Sequence, residues 1–346
     1  MSASSLSAAV GDLFMVGLPE LKVDDSTLAL IKEQRIRHFI LFKRNVADPA
    51  QLRELCGALR NACRAQGLPA PLIAIDQEGG SVTRLGPPFT QFPDARLLAD
   101  GESAETALRD YATTCGRELR AVGINMNLAP VLDVCPAGAG RFMEHRSLGG
   151  DPARVAALGR LVVETLQAQG VAACGKHFPG LGAAVLDPHL QLPTVERSRQ
   201  ELDVVDLVPF RAAIAAGVAA VMTSHTIYTG LDATTPATLC AEILGGLLRR
   251  TLGYDGLVIT DDLEMGAIEN DATVAGAALQ SFMAGADLLL ICHDHDKIRR
   301  AHNRLREGLT MGLFDPARLS ASCRRIEAVR RRFADPAPVS GGQGLF

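Results

Sequence analysis

Eight short apolar runs, each followed by a stretch of helical periodicity, constrain this chain more than any other feature. The runs fall at Leu13–Leu18, His38–Phe42, Leu72–Asp76, Ile124–Leu128, Val171–His177, Ala219–His225, Leu257–Asp261 and Ala286–Cys292. Runs this short and this apolar read as strands buried on both faces. Between them, Ala50–Ala65, Ala104–Val122, Ala153–Gln169 and Ala237–Leu252 carry helix-type spacing. Strands that alternate with crossover helices pair in parallel, and eight such units favour closure into a ring of the α/β class, a TIM (β/α)8-type barrel in a single domain. An open doubly wound sheet is the competing arrangement. It usually carries a Gly-x-Gly-x-x-Gly turn after its first strand, whereas Pro19 and Glu20 follow Leu18 here. The expected barrel domain covers residues 1–334, with one long helical region from Lys297 to Arg332 and a flexible Pro/Gly-rich tail over 335–346.

The carboxyl ends of these runs share a chemistry. The third finishes in Asp76, the fourth leads to Asp133, and the fifth ends in Lys176-His177. The sixth ends in Ser224-His225, the seventh in Asp261-Asp262, and His293-Asp294 follows the eighth. A buried strand does not terminate in ionisable groups for packing reasons, because an unpaired interior charge is costly. In a β/α barrel that end is where active sites lie. Gly256 to Asp262 is the sharpest case, and it marks Asp261 as a catalytic carboxylate. Asp262 has a plainer alternative as a cap for the following helix.

Composition narrows the partners. Of 346 residues, 47% are hydrophobic and 21% charged, and the net charge is −4, which gives ample core and no basic patch for nucleic acid. No apolar run approaches the roughly 18 residues a membrane span needs. The Ser/Ala-rich start, Met1–Val10, lacks the basic and apolar regions of a signal peptide. Eight scattered cysteines without Cys-x-x-Cys spacing suit a reducing, cytoplasmic setting and leave no expected metal or cofactor. There is no Trp and only three Tyr, so a cleft paved with aromatic platforms for long polysaccharides is not expected. A small ligand fits better.

Three further constellations carry chemistry. The loop after the fifth run holds Gly180-Leu181-Gly182-Ala183-Ala184 and ends in Asp187-x-His189. A carboxylate two residues from an imidazole can fix its tautomer and hold it as a proton donor. Lys176 and His177, side by side, offer donors to the hydroxyls of a polar ligand, and a lysine at a barrel mouth needs a partner. Asp76-Gln77-Glu78-Gly79-Gly80 leads through a turn to Arg84, which can return to Asp76. Arg146, in the loop after the fourth run, reads by itself as a solvated surface residue.

These motifs together resemble glycoside hydrolase family 3, in its bacterial β-N-acetylhexosaminidase branch. The resemblance rests on Gly256 to Asp262 preceded by Leu247-Leu248-Arg249-Arg250 and Gly253, and on Lys176-His177-Phe178-Pro179-Gly180 with Asp187-x-His189. It also rests on Asp76-x-Glu78-Gly79-Gly80 with Arg84, on Phe42-x-Arg44-Asn45, and on Arg146-Ser147; it spans roughly Leu13 to Arg332. It implies that Asp261 is a nucleophile, His189 a general acid/base and Asp187 its partner. It implies that Asp76, Arg84, Arg146, Lys176 and His177 bind an N-acetylglucosamine ring, with His225 near it. Larger family members draw the acid from a second domain; here it is expected from the barrel loops. The implied reaction is retaining hydrolysis of terminal β-linked N-acetylglucosamine from small glycosides, such as muropeptide or chitobiose-type fragments. Phosphorolysis, a β-glucosidase specificity, a metal-dependent hydrolase barrel and a sugar-binding barrel without catalysis are the alternatives. Two positions depart from the family pattern, Leu181 in place of a histidine and Pro188 in place of a serine. Pro188 fixes φ and removes a donor beside His189.

Overall fold

The computed structural model describes residues 9–188, 190–269 and 273–335. All eight apolar runs form strands: β1 (Phe14–Gly17), β2 (His38–Leu41), β3 (Ile73–Ile75), β4 (Met126–Asn127), β5 (Ala172–Phe178), β6 (Ala220–Thr223), β7 (Leu257–Asp262) and β8 (Leu288–Ile291). Each pairs in parallel with its neighbours in sequence, and β8 returns to β1 with Phe14 opposite Leu289 and Val16 opposite Ile291. The ring is therefore closed, and the doubly wound alternative is excluded. Buried apolar side chains from every strand, Met126 from β4 and mostly Val, Ile, Leu and Phe elsewhere, fill the ring and the layer beneath the helices, as expected where parallel strands are covered on both faces.

Helix starts follow local sequence. Asp48-Pro49, Asp151-Pro152 and Asp315-Pro316 each place an acceptor at the N-cap and a ring with preset φ at the first helical position. The first two open the helices Pro49–Ala65 and Pro152–Ala168. The long C-terminal helical region is in fact two helices, His295–Thr310 and Pro316–Phe333. Gly312 adopts a left-handed φ of 70° and Asp315 caps the second helix, so the chain stops and restarts between them. The segment expected to be helical over Ala237–Leu252 is a 3-10 turn followed by a π-helix over Glu242–Thr251. Gly245 and Gly246 in its middle weaken the α preference. The tail expected at 335–346 lies, apart from Asp335, outside the described residues.

Two features position the mouth of the barrel. Past the end of β4, Val131 bridges to Lys176 in parallel, and the Leu132 N–H donates to the Lys176 carbonyl at 2.6 Å. The Leu132 side chain packs over Gly175, where a Cβ would sit 2.6 Å from Leu132 Cδ1 and make that side chain turn aside. An unexpected two-stranded ladder, Thr194–Val195 with Ile227–Tyr228, then ties the loop after β5 to the loop after β6.

Candidate active site

A cavity of about 400 Å³ opens at the carboxyl ends of the strands, a volume in the range of small-ligand sites. Asp76, Arg84, Arg146, Lys176, His177, Asp187 and Asp261 all line it. Seven of the nine residues singled out from sequence thus converge on one space. His189 lies outside the described residues. His225 does not line the cavity; its ring is held by the Thr238 hydroxyl at 2.8 Å and the Asp262 carbonyl at 2.9 Å. Val82, Phe142, Leu181 and Pro188 give the same cavity an apolar side.

The floor is an ion-pair network. Lys176 Nζ lies 2.7 Å from both Asp76 Oδ1 and Glu78 Oε1. Arg146 grips Glu78 in a bidentate fork, Nε to Oε2 at 2.9 Å and Nη2 to Oε1 at 2.8 Å. Arg84 reaches Asp76 Oδ2 at 3.4 Å. Arg146 is therefore no solvated surface residue, since the fork draws it inward. Glu78 was visible in the sequence only as a letter inside the Asp76 motif, and its role as the hub of two cations was missed. Three cations meet two carboxylates here, and one of them, Lys176, also acts on Asp261.

The charges around it shape Asp261. Burial pushes its carboxyl up, but His177, His225, Lys176 and the Asp262 N–H outweigh burial and hold it below the ordinary carboxylate value. The Asp262 N–H donates to Asp261 Oδ1 at 2.9 Å. Asp262 behaves oppositely: burial and the neighbouring charges of Glu264 and Asp261 raise it to about 7. Its own Oδ1 accepts from the Glu264 N–H, ahead of the helix Gly266–Glu269, so it organises the turn after β7 rather than capping that helix. Two adjacent carboxyls are thus driven apart, one toward a permanent anion and one toward a proton-carrying group.

The loop after β5 is tied down near Asp261. The Ala267 N–H, from the segment after β7, donates to the Pro188 carbonyl at 3.2 Å. Farther back, the Tyr228 hydroxyl donates to the Gly180 carbonyl at 3.0 Å. Gly182 packs so closely on the chain after β4 that a Cβ would fall 2.1 Å from the Val134 carbonyl oxygen.

Family comparison decides the class. Residues 5–329 match the glycosyl hydrolase family 3 N terminal domain. This chain belongs to glycosyl hydrolase family 3. Among relatives of this family 3 glycoside hydrolase is a beta-hexosaminidase of Alkalilimnicola ehrlichii, 37% identical over 289 residues, which are 82% of this chain and 81% of the relative. A beta-hexosaminidase of Pseudomonas aeruginosa is 37% identical over 285 residues, covering 81% and 83%. Among solved structures, the family 3 β-N-acetylglucosaminidase of Paenibacillus sp. FPU-7 superposes with a TM-score of 0.92 at 40% identity; the match covers 98% of this chain and 65% of that longer one. The β-N-acetylhexosaminidase of Beutenbergia cavernae gives a TM-score of 0.87 at 32% identity, covering 94% and 98%. No helix among the described residues of the family 3 enzyme is long and apolar enough to cross a membrane. Nor do any of its described His, Cys, Asp and Glu residues group so as to hold a metal ion.

The floor network fixes a stability prediction for this glycoside hydrolase. Burial opposes the Glu78 charge, but Arg146 and Lys176 hold its carboxyl far below the ordinary 4.5. A depressed folded value stabilises the fold above the unfolded value and is lost as pH falls below it. The expected result is that Glu78→Gln costs about 3–5 kcal/mol at pH 7, the range for breaking a buried pair. The deficit relative to the parent shrinks as pH falls below about 4.5. Urea melts of both proteins between pH 3 and 7 check this, and a deficit independent of pH contradicts it.

Proposed function

We propose that this glycoside hydrolase is a retaining β-N-acetylhexosaminidase. It removes terminal, non-reducing β-linked N-acetylglucosamine from small glycosides of the muropeptide or chitobiose type. The observation that carries this reading is the Asp261 carboxylate, favoured as an anion and facing a sugar-sized polar cavity whose rim includes Asp187. The names borne by the relatives from A. ehrlichii and P. aeruginosa support the substrate class.

In the proposed mechanism Asp76, Arg84, Arg146, Lys176 and His177 hold the hydroxyls and acetamido group of the sugar. An Asp261 oxygen attacks the anomeric carbon while His189, oriented by Asp187, gives its proton to the departing glycosidic oxygen. The C1–O bond breaks, the leaving group departs as an alcohol, and a glycosyl ester of Asp261 forms. Neutral His189 then takes a proton from water, whose oxygen attacks C1 and releases Asp261. Two inversions give net retention. Most retaining glycosidases use a second carboxylate about 5–5.5 Å away as the acid; here an imidazole on a loop takes its place. All eight cysteines are free thiols, which fits a reducing cytoplasm.

The test compares aryl β-N-acetylglucosaminide with the matching β-glucoside and follows the anomer released by NMR. A site built around the acetamido group favours the first by at least about 10²-fold in kcat/KM and releases the β-anomer. Equal rates, or an α-product, would sink the reading.

A further inference from the structure

We propose that Asp133 is a positioning residue that sets which nitrogen of His177 carries hydrogen and where the ring aims. The inference rests on the reading of His177 as a sugar contact given above. Asp133 is fully buried and does not itself line the cavity. Its place follows from the register past the end of β4. The Val131–Lys176 bridge and the Leu132–Lys176 hydrogen bond carry the strand pairing onward, so that Asp133 falls opposite His177.

There its two oxygens do different work. Oδ1 accepts from the backbone N–H groups of His177, at 3.1 Å, and Leu181, at 2.6 Å. Oδ2 lies 2.8 Å from His177 Nδ1. A carboxylate can only accept, so Nδ1 carries the hydrogen of that contact, and Nε2 is left as the second ring nitrogen for a ligand. The backbone bonds matter as much as the ring bond. They fix the carboxylate plane, and through Leu181 they join the start of the loop after β5 to the same group. One buried side chain thus anchors both a cavity-lining imidazole and the root of the loop that ends in Asp187-x-His189. The arrangement parallels the partner carboxylates that hold catalytic or metal-binding imidazoles in a single tautomer.

Asp133→Asn separates these duties. The amide oxygen stays with the two backbone donors, because turning the amide over would set its NH2 against both of them. The NH2 then faces Nδ1, which must become an acceptor, and the ring hydrogen moves to Nε2. The experiment records 15N spectra of histidine-labelled protein, with His177 assigned by the signals lost in His177→Gln. The parent must show a protonated Nδ1, and Asp133→Asn must show it unprotonated. In the same variant kcat/KM for aryl β-N-acetylglucosaminides falls about 10- to 100-fold, the range for one hydrogen bond to a charged group. The loss is even across leaving groups of differing acidity, and Asp133→Asn adds little once His177→Gln is present. An unprotonated Nδ1 in the parent overturns the proposal without recourse to any variant. So does a kcat/KM loss that leaves the ring tautomer unchanged, or an unchanged kcat/KM. An Asp261→Asn protein that keeps full activity would instead remove the reading of the site, whatever Asp133 does.

Discussion

Replacing Asp261 with Asn lowers kcat/KM for an aryl β-N-acetylglucosaminide by roughly 10⁴- to 10⁶-fold, the scale seen when a nucleophile or its unit is removed from a covalent hydrolase. Asparagine keeps the size of the side chain, and its oxygen can still accept from the Asp262 N–H. What it loses is the negative charge that His177, His225 and Lys176 favour and, in the proposed mechanism, the oxygen that attacks C1. The three cations of the cavity floor keep their ion pairs with Asp76 and Glu78. Ligand binding is expected to be far less affected than turnover, because the floor proposed to hold the sugar is intact. The acid limb of the parent's pH profile gives a companion check. The Asp261 carboxyl is held below the ordinary 3.8, so it stays ionised as pH falls to that value, and activity lost nearer neutrality belongs to another group. A variant that retains a hundredth of parental kcat/KM would remove Asp261 from the covalent step.

Replacing His189 with Ala produces a loss that depends on the leaving group. For a poor leaving group, cleavage needs a proton, and kcat/KM falls about 10²- to 10⁴-fold. For a highly acidic phenol the first step needs no proton, so kcat/KM stays near that of the parent. The second step still lacks its base, so kcat falls and a burst of phenol precedes slow turnover. The position of the loop makes this assignment physical. Asp187 and Pro188 line the same cavity as Asp261, and the Pro188 carbonyl is bonded to the Ala267 amide just beyond β7. Pro188 has no N–H to donate, so its carbonyl is the backbone group through which this residue ties the loop to its neighbour. Equal losses for good and poor leaving groups would show that His189 acts on folding or binding rather than on proton transfer.

The barrel was legible because its strands are buried on both faces and its helices on one. Periodicity therefore switches from run to run at each of the eight units, and ionisable residues follow the carboxyl ends of six of the eight runs. The same logic exposed Asp261, Lys176 and Asp76, since an ion at the end of an apolar strand has to be paired or put to use. Other parts depend on distance through space and left no local signal. Glu78 pairs with Arg146 and Lys176 far along the chain. Asp133 finds His177 only through a strand register that continues past the end of β4. Arg146 read as a surface residue because nothing near it in sequence announces its carboxylate. The break between the two C-terminal helices was, by contrast, written plainly in Gly312, Asp315 and Pro316, and apolar periodicity on either side masked it.

The proposed reaction passes through a covalent bond between a sugar and Asp261. Its most direct test is the mass of His189→Ala protein sampled during turnover of a dinitrophenyl β-N-acetylglucosaminide, followed by peptide mapping. The expected result is a gain of one N-acetylhexosaminyl residue, carried on the peptide that contains Asp261 and lost slowly on standing. Burst release of phenol with no adduct, or an adduct on any other residue, would contradict it.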